Sequence, residues 1–321
     1  MIDLPTINPD DLLGLADWVE LTTSCEPTGS TSVFEVADVL YSSGLAGTAP
    51  SDNFIGEFEE EYDGTLSDKD AAERLAQDIW SELKRRSTAW GHAYPYSVDQ
   101  DTVSLTGDSW RETPAYHMLL IIDVVRFYPS GPIAPDLRMT RLFEKIVQAA
   151  KGRLLGGRTS RFGWPIEFGW PTSIGERVAA LASELGLSVS NMDEFLFTTD
   201  NDRGLDVVGL LAIDGTSDGT LAILTQCAAG QNWKAKTGEP SLEDWQDVLD
   251  WNMKLVKGFA VPWRLASPWD YRRVHRKFNG AVVFDRPRII ALAPDEALVS
   301  WVSDCIAEWC EPRLAAFPQL S

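Results

Sequence analysis

The sequence predicts an α/β protein, with an acidic, mixed and largely helical region over residues 1–135 and an α/β domain over residues 136–321. Two observations carry this. From residue 136 the hydrophobic pattern switches repeatedly between helical and strand periods, in the order helix, strand, strand, strand, helix, strand, helix, strand. The charge changes as well, earlier in the chain. Residues 1–80 hold about 18 acids against two bases, Lys69 and Arg74, while the remainder is close to balance.

In the first region, Asp10 to Glu20 reads as a short helix. Ser32 to Ser42 reads as another, with Val33, Val36, Ala37 and Leu40 on its apolar side. Glu57 to Glu61 belongs to an acidic loop. Asp68 to Arg86 is an amphipathic helix, capped by Asp68 or Asp70 and ended by Lys84, Arg85 and Arg86, which complement its dipole. Tyr94 to Leu105 suggests strand. Tyr116 to Tyr128 is strongly apolar, and periodicity leaves strand and helix both open. The Pro-rich stretch Pro129 to Pro135 marks the domain boundary.

In the second region, Arg138 to Leu155 is a helix stopped by Gly156 and Gly157. Arg158 to Gly163 is a short strand, and Pro171 to Leu185 a helix stopped by Gly186. Gly204 to Leu211 and Thr220 to Cys227 are strands joined by the turn-rich segment Asp214 to Gly219. Leu242 to Val256 is expected as a helix capped by Ser241, Phe259 to Trp263 as a strand, and Trp269 to Phe278 as a basic helix. Ala281 to Phe284 and Arg288 to Leu292 are strand-like around Pro287, and Asp295 to Leu314 closes the chain as a helix.

Composition excludes several classes. No run approaches the roughly 18 apolar residues of a membrane span, and the start Met1-Ile2-Asp3-Leu4-Pro5 lacks the basic region of a signal peptide, so a cytoplasmic location is expected. Cys25, Cys227, Cys305 and Cys310 form no paired CxxC sets and read as free thiols. The three histidines, His92, His117 and His275, are too scattered for a metal triad. Neither GxGxxG nor GxxxxGK[ST] occurs, and no pair of acids stands out at the spacing of a sugar hydrolase. The net charge of -20 argues against a nucleic-acid partner, but the excess sits in the first 80 residues. The 13 Trp often adjoin Gly or Pro, as in Gly163-Trp164-Pro165, and are expected to pack where loops meet the core.

Two polar residues interrupt the apolar strands of the second region. Asp206 follows Leu205 and precedes Val207-Val208, and Gln226 ends the run Leu221 to Thr225. A carboxylate in a strand is costly unless paired or bound to metal. Oxygen ligands of this kind suit Mg²⁺, which polarises phosphoryl oxygens and lowers the pKa of an attacking water. The helix Tyr271-Arg272-Arg273-Val274-His275-Arg276-Lys277 is the best candidate for phosphate contacts, through Arg272, Arg273, Arg276 and Lys277, joined by Arg158 and Arg161.

Asp202-Arg203-Gly204-Leu205-Asp206-Val207-Val208, followed by Leu224-Thr225-Gln226-Cys227-Ala228, resembles the catalytic hairpin of PD-(D/E)xK nucleases, in the variant with Gln in the third motif. The resemblance covers roughly residues 138 to 295. It implies a restriction-endonuclease-like αβββαβ core and a Mg²⁺- or Mn²⁺-dependent endonuclease acting on DNA. Asp206 matches the metal-binding Asp and Gln226 the Glu/Gln position. The helix Glu is either Glu144, in Leu142-Phe143-Glu144, or Glu176. The family's Lys two residues after Gln226 is absent, because position 228 is Ala. Lys236 or Lys234 is expected in its place, with Lys236 preferred. The run Gln226 to Trp233 with Phe284-Asp285-Arg286 is similar to uncharacterised proteins of bacterial anti-phage defence loci. The alternative the resemblance leaves open is an inactive nuclease-fold subunit of a larger complex. The acidic region is then expected to dock a protein partner or to mask a basic cleft, and a homodimer is open as well.

Overall fold

The computed structural model describes residues 11–45, 68–125, 135–166, 169–195, 202–211, 221–230, 232–265, 272, 275–278, 280–293 and 295–317. The fold is mixed α/β. Contacts divide the chain into two compact units, one of Met1–Glu112, Asp123–Ala134 and Cys310–Ser321, the other of Thr113–Ile122 and Pro135–Trp309. Both are discontinuous in sequence, where the sequence suggests a single break after residue 135.

In the first unit, α1 (Leu12–Cys25) begins at Asp11, whose side chain accepts from the Gly14 N–H at 3.0 Å. Strand β1 (Ser30–Ser32) leads into α2 (Val33–Ser42) through a capping box, Ser32 accepting from the Glu35 N–H and Glu35 from the Ser32 N–H. Helix α3 (Asp68–Trp90) is followed by β2 (Tyr96–Val98) and β3 (Thr102–Leu105). These strands form an antiparallel sheet in the order β1-β3-β2. Arg86, fully buried on α3, pairs with Asp17 at 2.5 Å, Glu20 at 2.7 Å and Glu82 at 2.8 Å. The apolar stretch that sequence left open is a helix, α4 (Pro114–Val125), whose residues as far as Ile122 belong to the second unit.

In the second unit, α5 (Leu137–Leu155) starts at Asp136, which caps the Met139 N–H at 2.8 Å, and stops at Gly156 with φ 64°. Next come β4 (Thr159–Arg161), α6 (Ile174–Leu185), the single turn α7 (Met192–Phe195), β5 (Val207–Leu210) and β6 (Leu221–Cys227). A 3-10 turn (Trp233–Gly238), α8 (Leu242–Val248), β7 (Lys254–Ala260), β8 (Val282–Phe284), α9 (Arg286–Leu292) and α10 (Ser300–Ala316) follow. The sheet runs β4-β5-β6-β7-β8, antiparallel from β4 to β6 and parallel from β6 to β8. The two-residue period of the strands gives it two different faces. Val208, Leu210, Ala222 and Leu224 join Val178 and Leu181 of α6 and Trp245 and Val248 of α8 in one apolar cluster. On the α5 side, side chains of that helix press on the strand at Gly209, where a Cβ would meet Leu155 Cδ1 at 2.7 Å.

Two expected elements are corrected. The helix expected to run to Val256 ends at Val248, where Leu249 turns extended (φ -122°, ψ 136°). Lys254–Ala260 then pairs with all seven residues of β6, so the expected strand at Phe259 starts five residues earlier. The strand expected at Arg288–Leu292 is helix α9. Its Pro287 lies in the first turn, where a missing N–H costs no hydrogen bond. Of the expected basic helix, Arg272 and residues 275–277 are helical, and 266–271, 273 and 274 lie outside the described residues, as does the turn at 212–220.

Candidate functional site

Three chain segments meet at the end of the β5–β6 pair. Asp206 immediately precedes β5. Its backbone N–H donates to the Thr225 carbonyl at 3.0 Å, and its own carbonyl accepts from the Phe162 and Gly163 N–H groups at 2.7 and 3.1 Å. Its side chain is 4 % exposed. Oδ2 accepts from Gln226 Nε2 at 2.7 Å and from the Cys227 N–H at 2.6 Å. The two residues that sequence singled out on separate strands are thus in direct contact.

Oδ1 points elsewhere. A Cβ built on Gly163 would lie 2.6 Å from Asp206 Oδ1 and 2.6 Å from Glu144 Oε2. The two carboxylate oxygens therefore both pack against Gly163, an approach that is possible only because residue 163 has no side chain. Glu144 comes from α5 and is fully buried. Its Oε2 forms a close ion pair with Arg161 Nε of β4 at 2.7 Å, without the alignment of a hydrogen bond. Its Oε1 and the buried Gln226 Oε1 have no hydrogen-bond partner among the described residues.

The electrostatics follow from burial. Burial pushes the Asp206 carboxyl up to about 7, aided by the Asp202 charge and opposed by the Cys227 N–H, Lys236 and Arg161. Burial and the Asp206 charge hold Glu144 well above the usual carboxylate range, against the pull of Arg161. Both shifts favour the neutral carboxyls and so lessen the repulsion between the two.

Glu144, Asp206 and Gln226 come together. Glu176 does not join them: it is exposed in the first turn of α6, its N–H bonded to Ser173 Oγ at 3.2 Å. Lys236, half-buried in the 3-10 turn, lies close enough for its charge to act on Asp206. Lys234 is exposed, with Nζ 5.7 Å from the Trp233 ring centroid. Two expected phosphate contacts are engaged inside the protein instead. Arg161 is 3 % exposed and pairs with Glu144. Arg158 donates to the Glu184 and Leu185 carbonyls at 3.0 and 3.2 Å, where α6 leaves acceptors unpaired. Arg272, Arg276 and Lys277 are exposed, and Arg273 lies outside the described residues.

Sequence reasoning missed Lys151, one of the most buried cations. From α5 its Nζ donates to the Val207 carbonyl at 2.8 Å, the Ile223 carbonyl at 2.6 Å and Thr225 Oγ1 at 2.8 Å. An ammonium has three N–H groups, and all three are used. They hold the neighbour of Asp206 on one strand and the neighbour of Gln226 on the other. Burial pulls this amine down to about 7. Its only sequence signal was a Lys two turns after Glu144 on the same helix.

The oxygen set fits a hard divalent cation. Two carboxylates and an amide oxygen without a hydrogen-bond partner are the donor types that Mg²⁺ or Mn²⁺ takes. Among the described residues no group of three or more His, Cys, Asp or Glu is placed to hold a metal ion. No helix of the described residues is long and apolar enough to cross a membrane. Set against protein-family models, curated proteins and solved structures, the chain matches none of them.

Proposed function

We propose that the second unit is a metal-dependent nuclease of the PD-(D/E)xK kind, hydrolysing phosphodiester bonds in DNA. The observation that carries this reading is the convergence of Glu144 Oε2 and Asp206 Oδ1 on Gly163, with Asp206 bonded to Gln226, whose Oε1 has no hydrogen-bond partner among the described residues. The chain order α5, β4, β5, β6, α8, β7 supports it, since a restriction-endonuclease-like αβββαβ core has that order, with α6 and α7 as insertions here. A role in anti-phage defence rests only on the resemblance of the run Gln226 to Trp233 and of Phe284-Asp285-Arg286.

In this reading Glu144, Asp206 and Gln226 hold Mg²⁺ or Mn²⁺, which supplies Lewis acidity toward a phosphoryl oxygen and a more acidic water. Gln226 Nε2 and the Cys227 N–H fix Asp206 Oδ2, leaving Oδ1 turned to Gly163 and Glu144. Lys236 supplies the positive charge that the family carries two residues after Gln226. Arg161 balances Glu144 until the cation enters.

A second reading is an inactive nuclease-fold subunit of a larger complex, favoured by Ala at position 228 and by the Glu144–Arg161 pair, which already neutralises one carboxylate. Cleavage of supercoiled plasmid and single-stranded DNA by purified protein with Mg²⁺ or Mn²⁺, beside Asp206→Ala, separates the two. Cutting that the substitution abolishes supports the nuclease. No cutting, with no Asp206-dependent Mn²⁺ binding, supports the inactive subunit.

A further inference from the structure

Trp164 follows Gly163 directly, so its Cα lies about 3.8 Å from the residue that borders both carboxylates. The loop bearing it is anchored on every side. The Gly163 N–H donates to the Asp206 carbonyl at 3.1 Å, and the Trp164 N–H to Asp202 Oδ2 at 3.3 Å. The carbonyl of the next residue, Pro165, accepts from Arg161 Nη2 at 2.7 Å. Despite this anchoring the indole stays 43 % exposed, against the expectation that the Trp residues fill loop–core junctions. Its neighbour Phe162 does enter the core, edge-on to Trp245. The Arg177 guanidinium sits 6.0 Å from the Trp164 ring centroid. The result is a flat apolar surface, fixed in place, with a cation on it and two acids beside it.

We propose that Trp164 is a stacking platform for an unpaired nucleobase, so that the substrate of this site is single-stranded or locally unpaired nucleic acid. The proposal rests on the nuclease reading for the chemistry, but the platform has its own readout. A base in a duplex already stacks on its neighbours and offers no free face to an indole, whereas an unpaired base does. Stacking is also the kind of affinity an acidic chain can supply. With a net charge of -20, long-range attraction to phosphates is weak, and a base on an indole is not opposed by that charge.

The test measures binding of the full chain, in EDTA, to a labelled single-stranded DNA 12-mer, to the same strand annealed to its complement, and to an abasic 12-mer of equal charge. Removing metal prevents cutting and makes the result independent of the metal site. The expected result is binding of the intact single strand about tenfold tighter than of the duplex or the abasic strand. Trp164→Ala should lose that tenfold advantage, Trp164→Phe should keep most of it, and the abasic strand should bind all three proteins alike. A thermal melt of each variant checks the fold. Equal binding of the three probes, no binding at all, or an intact preference in Trp164→Ala overturns the proposal. Failure of the nuclease reading looks different: a Trp164-dependent preference persists while no metal brings cutting.

Discussion

Gly163→Ala tests the site with the smallest perturbation available. The added methyl would sit 2.6 Å from Asp206 Oδ1, 2.6 Å from Glu144 Oε2 and 2.9 Å from Glu144 Cδ, so something must move. Neither carboxylate yields freely. Asp206 is tied by its other oxygen to Gln226 and the Cys227 N–H at 2.7 and 2.6 Å, and Glu144 is paired with Arg161 at 2.7 Å. Overpacking of this size typically costs about 1–3 kcal/mol, which leaves the protein folded. The effect on function should be larger in proportion. The methyl would push apart the two carboxylates assigned to the cation, and a displacement on the order of 1 Å in such a site lowers rates about 100-fold. Titration calorimetry with Mn²⁺ and a plasmid-nicking assay should show loss of metal affinity of at least about tenfold and of most of the cutting. An alanine variant that binds Mn²⁺ as the parent does would refute the reasoning, because the cation would then lie elsewhere.

Three further outcomes are expected. Gln226→Glu replaces the amide donor to Asp206 with an acceptor, so without metal the protein should lose about 1–3 kcal/mol at pH 8 in urea melts, and Mg²⁺ should raise the melting temperature of this variant more than that of the parent. Asp206 has a folded pKa of about 7, above its unfolded value, so the folded state holds more protons through the window between them. Stability therefore falls as pH rises from about 4 to 7, the Asp206 share being on the order of 3 kcal/mol between pH 5 and 8, and Asp206→Asn should remove that share and leave the slope that the raised Glu144 carboxyl contributes. Gly152→Ala, within α5, places its Cβ in ordinary contact with Thr159 Oγ1 at 3.6 Å, so it should stabilise the protein by about 0.5–1 kcal/mol in the same melts and leave metal binding unchanged.

Residues that break a pattern were legible in the sequence, and residues that fit one were not. Asp206 and Gln226 stand out because each is polar on an apolar strand, and the structure puts them in contact. Glu144 was visible through resemblance, but periodicity could not rank it against Glu176, since both sit on amphipathic helices. Lys151 was hidden for the same reason: a Lys on such a helix looks solvated, and only the strand carbonyls facing it show otherwise. Arg161 was read as a surface base because β4 is three residues long and its burial depends on α5. The overlong helix at Leu242 arose because Trp245, Leu249 and Val256 keep a helical spacing across a turn. At Arg288–Leu292, β-branched Ile289 and Ile290 imitated a strand, although Pro287 is equally at home in a helix's first turn.

The departure from the family pattern at position 228 has a physical cause in the fold. Ala228 continues β6, its N–H donating to the Ala260 carbonyl at 2.9 Å, and it is 2 % exposed. It packs in an apolar cluster with Phe259, Val261, Phe278 and Val283, bordered by Trp233 and Trp263. Phe259 and Phe278 are stacked with centroids 4.3 Å apart. A lysine there would put a long charged side chain among these rings, and an ammonium left unpaired in such surroundings costs several kcal/mol. The chain that follows then turns through Trp233–Gly238, with the Trp233 ring against this cluster and Lys236 half-buried within reach of Asp206. Trp233 therefore does more than fill space: by docking the turn on the cluster it sets where the Lys236 charge falls. The same cluster that excludes a cation from the strand thus positions one from the turn, and the two features stand or fall together in this reading of the site.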